Sequence, residues 1–462
     1  MKKLLDVNIW SLSWLERLWL CAPVAIWFSF QPFLRFGQDS TSYYELSVVM
    51  AYVVVLALVG LPNVWGARKA ILRDRAMQLT GAFVGLSVVS LFWTSNITRG
   101  VLTVGVIGLL YLILLAAIVE YKRLRKLLPA LATLLVLSAV VVSILAFIQV
   151  IAGIWLLRAE TLLCAGCVAD QFGFVRPNVF AIEPQFLGSL LIAPLLVLLH
   201  VFLNGKRSGT VVASFLLISS ALFMTLSRGA ILAFALGALL LFILNWRKAR
   251  SIVGGVAIVV GAFVITLLVQ GTAAALNPRV NVTFYEAIST SINQLSLGVL
   301  KLPSEQTAPN KDGTGTAPVF NGYVEESTGT RLSLTGLAIG TWKASSARIL
   351  FGVGVGASGV AIHEQYPDRI DAREIIQNEY IEILLEYGLV GLALFAVLLV
   401  GFLYGTRREK WAWAFLAAYA VQWMFFSGYP NALHIYLVLF ALYAAFRVPS
   451  ATERRASVAP KQ

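Results

Sequence analysis

Apolar stretches long enough to cross a bilayer recur from one end of this sequence to the other, and no other feature constrains the fold as strongly. A helix needs roughly 20 apolar residues to cross the hydrocarbon, and it satisfies its backbone polar groups within the segment. Read this way, the chain has about twelve spans, near 16–34, 45–63, 79–94, 101–119, 128–153, 183–203, 210–226, 229–245, 252–273, 381–404, 411–427 and 432–447. An outer-membrane barrel would show short segments of alternating polarity instead. Composition agrees: the 462 residues are 59% hydrophobic and 13% charged, where soluble domains average about 25% charged. A soluble core of this length would need a more polar coat. The expected fold class is an all-α integral membrane protein. The "MKKLLD" start is basic, but its apolar run lacks a small-residue cleavage site, so no removable signal peptide is expected.

The net charge of +13 does not point to nucleic acid, because the cations are segregated. Alternate connections carry "GARKAILRDR", "EYKRLRK", "GKR", "WRKAR" and "TRREK", and the tail carries "ERR". The positive-inside rule puts this set and both termini in the cytoplasm. Cys21 falls in the first span, while Cys164 and Cys167 form "CAGC" in an outward connection. That spacing fits a disulfide or two free thiols, and nothing around it suggests a metal site or a thioredoxin-like unit.

One outward connection is long. It divides the chain into residues 1–273 (spans 1–9), 274–377 (the large loop) and 378–462 (spans 10–12 and the tail). Its middle, "KLPSEQTAPNKDGTGTAPVFNGYVEESTGT", is rich in Gly, Thr and Pro and is expected to be mobile. "NVTFYEAISTSINQLSLGVL" and "RLSLTGLAIGTWKASSARIL" have apolar residues at helical spacing and read as amphipathic helices. In "FGVGVGASG", Gly352, Gly354 and Gly356 permit tight backbone turns. The likeness to a dinucleotide fingerprint is weak, since no strand–helix unit surrounds it.

"QNEYIEILLEYGLVGLALF" then places Glu379, Glu382 and Glu386 on one face of a helix. Asn378 is a natural cap, and acidic residues suit the positive end of the dipole. That accounts for Glu379 and Glu382 but not for Glu386, which lies too deep and should face protein or water, not lipid.

The short outward connections hold Arg35, Arg99, Arg158, Arg176 and Arg228, and no lysine; the large loop adds Arg279, Arg331, Arg348, Arg369 and Arg373. A guanidinium is a planar fork that grips phosphate oxygens and keeps its charge when partly buried. Converging arginines are what a lipid-linked diphosphate requires. Arg228 and Arg331 carry that reading; for Arg35, Arg99 and Arg158, snorkelling to headgroups or pairing with a loop acid suffices. His200, His363 and His434 have no paired spacing for a metal, and no nucleotide-binding loop is present. An enzyme here would work without ATP, metal or cofactor, on a substrate already activated.

Several stretches resemble the bacterial O-antigen polymerases and O-antigen ligases: "RPNVFAIEPQFLGSLL", "LSRGAILAF", "TRLSLTGLAIGTWKASSARILFGVGVGASG" and "QNEYIEILLEYGLVGLALF", together with the span count and the late loop. The resemblance implies a GT-C-like bundle with one large periplasmic loop between spans 9 and 10, in the inner membrane with the active site outside. It implies a glycosyltransferase that takes glycan from undecaprenyl diphosphate, with membrane lipid around it and room for a chain-length regulator as a further partner. By position, Arg228 and Arg331 match the residues expected to hold the diphosphate, with Arg176 nearby, and Glu386 matches the carboxylate of the helix motif. Ligases carry a histidine, the proposed base, immediately before the motif asparagine; here Gln377 stands there, and glutamine cannot take a proton near neutral pH. This leans towards polymerases. Gln377 would position the acceptor hydroxyl, Glu379 or Glu183 (or His363 by tertiary approach) would receive its proton, and Glu386 would orient Arg228 or Arg331. A ligase and a non-catalytic lipid-linked glycan transporter are the other two readings. A transporter should show matching half-chains with gating breaks, which this sequence lacks.

Overall fold

The computed structural model describes residues 9–30, 32–36, 44–71, 75–155, 174–277, 282–296, 323–372, 376–425 and 432–447. It is a bundle of apolar helices: α1 (Trp14–Ala25), α2 (Val48–Ile71), α3 (Arg75–Ser90), α4 (Ile97–Val119), α5 (Tyr121–Trp155), α6 (Pro184–Leu203), α7 (Gly209–Met224), α8 (Arg228–Leu244) and α9 (Ala249–Leu276). A run of shorter helices follows, α10 (Phe284–Leu295), α11 (Tyr323–Trp342), α12 (Ser346–Phe351) and α13 (Ser358–Gln365). The chain returns to the bundle with α14 (Glu379–Gly405), α15 (Trp413–Gln422) and α16 (Leu433–Phe446). The stretches read as spans overlap helices of this bundle, the first (16–34) and the eleventh (411–427) only in part. Six of them, α2, α4, α5, α6, α9 and α14, are long and apolar enough to cross a membrane by length and composition alone. Between α9 and α14 none of the described helices meets that test.

Two sequence expectations change. The first stretch, expected to run as one span to residue 34, gives way after α1 to a short 3-10 turn, Ile26–Phe28. A two-stranded antiparallel hairpin follows, β1 (Pro32–Phe36) with β2 (Tyr44–Ser47), which sets Arg35 opposite Glu45. Pro32 lacks the N–H that a continuing helix needs, so the chain turns extended there. The second change is that α11 begins at Tyr323, inside the segment expected to be mobile. Most of that segment's middle, and Arg158, Cys164, Cys167, Arg279 and Arg373, lie outside the described residues.

Packing follows small-residue contacts. The α8 helix lies against α6 and α15, with Gly188 of α6 facing Ala230 and Ser227, and Gly229 facing Phe425 just beyond α15. Close approach of helices at small residues is how apolar helices associate where no hydrophobic gain is left to drive them. Polar groups in the core are tied across helices: the Ser189 hydroxyl of α6 lies 2.9 Å from Nε2 of His434 in α16. The Thr266 hydroxyl of α9 donates to the Ser220 carbonyl of α7 at 3.1 Å.

The feature that shapes the end of the bundle where α14 begins is a backbone clamp. Gly388 breaks α14 with φ 64°, dividing it into Glu379–Tyr387 and a longer apolar half. Gly352, with φ 73°, sits against that break. The amides of Val353 and Gly354 donate to the carbonyls of Leu385 and Glu386 at 2.8 and 3.0 Å. A Cβ on Gly352 would lie 2.3 Å from the Glu386 carbonyl carbon, and one on Gly388 2.3 Å from that of Leu350. On its other side, the same turn is held by the connection between α3 and α4. The Thr94 hydroxyl donates to the Val355 carbonyl at 2.8 Å, and the Val355 amide donates to the Ser90 hydroxyl at 3.3 Å.

Gly352→Ala is therefore expected to lose folding, because it adds both a strained φ, on the order of 1–3 kcal/mol, and a clash with backbone that cannot yield. Gly401→Ala, in the inner half of α14 with open space at its Cβ, should leave the detergent-solubilised protein's melting temperature unchanged. A normal melting temperature and yield for Gly352→Ala would show that the clamp is not needed.

Candidate active site

Arginine at the start of a helix opposes the dipole, so it needs another reason to be there. Arg228 is the first residue of α8, and Arg99 lies in the first turn of α4. Both turns that lead into the site are strained. Val179 and Leu226 are the non-glycine residues with positive φ among those described, 49° and 50°, which is unusual for a branched side chain. The first turn is pinned by Gln149 of α5, whose Oε1 accepts from the amides of Asn178 and Val179 at 3.1 and 3.0 Å, while its Nε2 donates to Asn178 Oδ1 at 2.8 Å. The second is held by Arg176, which is buried and donates through Nε to the Thr225 carbonyl at 3.0 Å. Arg176 and Arg228 thus flank one strained turn.

The centre of the site is a chain of side-chain hydrogen bonds across three separate parts of the sequence. Arg331 of α11 donates through Nε to Gln377 Oε1 at 2.7 Å and through a terminal nitrogen to Gln185 Oε1 at 3.0 Å. Gln185, in the first turn of α6, donates through Nε2 to Glu183 Oε2 at 2.6 Å. Glu183 precedes α6, and its side chain is exposed and makes no capping bond. One fork therefore fixes two amides, and one of those amides fixes an accessible carboxylate.

Next to Gln377, Asn378 caps α14 as its position predicts: its side-chain oxygen accepts from the amides of Tyr380 and Ile381 at 3.1 and 3.2 Å. The three glutamates beyond it are all buried within the protein. Glu379 accepts from the Tyr436 hydroxyl at 3.0 Å, and its amide donates to the Trp423 carbonyl at 2.8 Å. Glu382 pairs with Arg99 at 3.9 Å. Glu386 has the Arg99 guanidinium and the backbone amides of Gly356 and Ser358, at the start of α13, around its carboxylate.

The structure brings Glu183, Arg331 and Gln377 together, and places Asn378 and Glu379 on the adjoining turn. It separates two expected members. Glu386 does not approach Arg331 through any hydrogen bond; the clamp turns it towards Arg99 and the α13 amides, so it supports a different arginine from the two expected. His363 is engaged elsewhere, with Nδ1 2.7 Å from the Ile370 carbonyl within the outer segment. Sequence reading missed Gln185, whose only signal was its place beside Glu183. For Arg99 it expected snorkelling to headgroups or pairing with a loop acid; the acid it pairs with is Glu382, on the first turn of α14.

Beneath this layer lies an apolar cavity of about 160 Å³ between α3, α4, α14, α15 and α16. Ile383, Trp423 and Tyr436 form its end nearest Glu379, and the lining continues along α14 to Phe402.

With this geometry in place, comparison with known families gives one match. Residues 213–396 match the family model described as O-Antigen ligase. The chain carries a domain of the O-antigen polymerase and ligase superfamily. No curated protein matches it. The O-antigen ligase domain holds Arg228, Arg331, Gln377, Asn378 and the three glutamates, whereas Arg99, Arg176, Glu183 and Gln185 come from the chain before it. The family match and the apolar helices together support a multi-pass membrane protein, and the matched family is one of glycosyltransferase-like enzymes that act on lipid-linked glycans.

Arg331→Lys keeps the charge but cannot hold Gln377 and Gln185 at once. Hydrogen bonds to a charged group contribute on the order of 1.5–3 kcal/mol, so glycan product should fall about tenfold or more at normal protein level. Product and protein can be compared on one set of membranes. Wild-type product from Arg331→Lys would mean that the fork does not organise the site.

Proposed function

We propose that this protein is a polymerase that joins undecaprenyl-diphosphate-linked oligosaccharide repeat units into O-antigen or exopolysaccharide at the periplasmic face of the inner membrane. The observation that carries the reading is the chain Glu183–Gln185–Arg331–Gln377. It places a hydroxyl-binding amide and an accessible carboxylate on either side of one guanidinium. In the reaction, the acceptor hydroxyl oxygen attacks the anomeric carbon of the donor, and the bond from that carbon to the diphosphate oxygen breaks. The hydroxyl proton passes to Glu183, and the diphosphate leaves with its charge taken up by Arg331 and Arg228, with Arg176 behind them. Diphosphate is already a good leaving group, so a carboxylate need only accept the proton late. Glu183 fits this role better than Glu379, which is fully buried and already bonded to Tyr436. The apolar cavity below Glu379 suits part of the carrier's isoprenoid tail.

The reading includes about twelve spans, residues 274–377 as a periplasmic loop, and both termini in the cytoplasm, as the distribution of cations supports. Reporter fusions at His363 and Arg408 should report opposite sides; the same side for both would remove the basis for an external site.

A deletion strain is expected to accumulate single capped repeat units. Glu183→Gln and Arg228→Lys should fail to restore polymer at normal protein level. Full-length polymer from Glu183→Gln would take the proton-accepting role from that residue. The family match, described as O-Antigen ligase, fits equally a second reading in which finished glycan is transferred to lipid A–core or protein. Long chains left on the carrier in the deletion strain would decide for it.

A further inference from the structure

A second and larger cavity, about 580 Å³, lies between the outer end of α3 and the helices α12 and α13. It belongs to neither the arginine fork nor the apolar cavity, but its floor is the clamp: Gly352 and Val353 line it, and the Val353 amide is bonded to the Leu385 carbonyl one residue before Glu386. The cleft is thus fixed to the same short segment that carries the glutamates.

Its lining is unlike that of a lipid groove. The Trp93 indole, 38% exposed, meets Phe351 edge to face with ring centres 6.4 Å apart. Around this corner stand Ser95, Ser345, Arg348 and Glu364. Among the described residues, neither the Arg348 guanidinium nor the Glu364 carboxylate has a hydrogen bond or an ion pair. A half-exposed aromatic face beside unused charged donors and acceptors matches the surface of a pyranose. The C–H face of such a ring packs on an aromatic ring, and its hydroxyls bond to carboxylate and guanidinium. The size is that of a small-molecule site with a few polar groups in an apolar wall.

We propose that this cleft binds sugar residues of the glycan away from the reacting bond, with a pyranose stacked on Trp93 and its hydroxyls held by Arg348 and Glu364. The proposal rests on the reading of the protein as a lipid-linked glycan transferase. The sugars can come from the incoming repeat unit or from the growing chain.

The test uses the full chain in nanodiscs, with saturation-transfer NMR on the repeat-unit oligosaccharide released by mild acid from the host's own lipid-linked intermediate. Wild type should bind it, Trp93→Ala and Glu364→Gln should weaken binding at least about tenfold, the loss of a charged hydrogen bond or of one stacked ring, and Trp93→Phe should restore most of it. Equal melting temperatures show that each variant is folded. No binding by wild type, or unchanged binding by Trp93→Ala, overturns the proposal. Polymer from the same Trp93→Ala variant in a deletion strain identifies the source: shorter chains assign the cleft to the growing chain, and fewer chains of normal length assign it to the incoming unit. If wild type makes no polymer at all, the polymerase reading falls, while the binding measurement still decides the cleft.

Discussion

The contact between Gly352 and Gly388 is the constraint on which the arrangement around the start of α14 depends. Two backbones meet at a distance no side chain tolerates, and the hydrogen bonds from Val353 and Gly354 hold them there. This ends the first segment of α14 at Tyr387, sends Glu386 towards Arg99, and ties α12 to the bundle. The connection between α3 and α4 closes the other side through Thr94 and Ser90. A helix that began as an ordinary apolar span would have carried its carboxylates into lipid, where an unpaired charge is costly. The break lets them be buried in protein instead.

Charge compensation at this end comes from several weak sources acting together. Helix α6 packs on α8 and α13 on α14, and each helix start contributes the partial positive charge of unpaired amides. Arg99 and Arg228 add full charges where the dipole disfavours them. Buried carboxylates answer Arg99: Glu382 pairs with it, and Glu386 has the same guanidinium beside it.

Much of this was legible in the sequence. Hydropathy located the apolar helices, because their period and length are properties of single segments. The cap at Asn378 followed from residue type and position. The link from Glu183 to Gln377 was not legible, since Gln185 and Arg331 meet across 146 positions in the chain. Local spacing holds no record of such a contact. The approach of Glu386 to Arg99 was not legible for the same reason: it depends on a helix break, and "YGLVG" reads equally well as an unbroken apolar helix. The hairpin after α1 was overlooked because Pro32 and its neighbours are apolar enough to pass as membrane.

The divided α14 has a mechanical consequence. A bilayer that thins or thickens makes its helices tilt, at a cost of fractions of a kcal/mol per Å of mismatch. The half of α14 beyond Gly388 is exposed at Leu389, Val390, Val397 and Val400 and takes that tilt. The Glu379–Tyr387 half is bonded to the Gly352 turn and to the end of α15 instead. Gly388 therefore separates the stretch of α14 with exposed apolar side chains from the stretch that carries Glu379, Glu382 and Glu386.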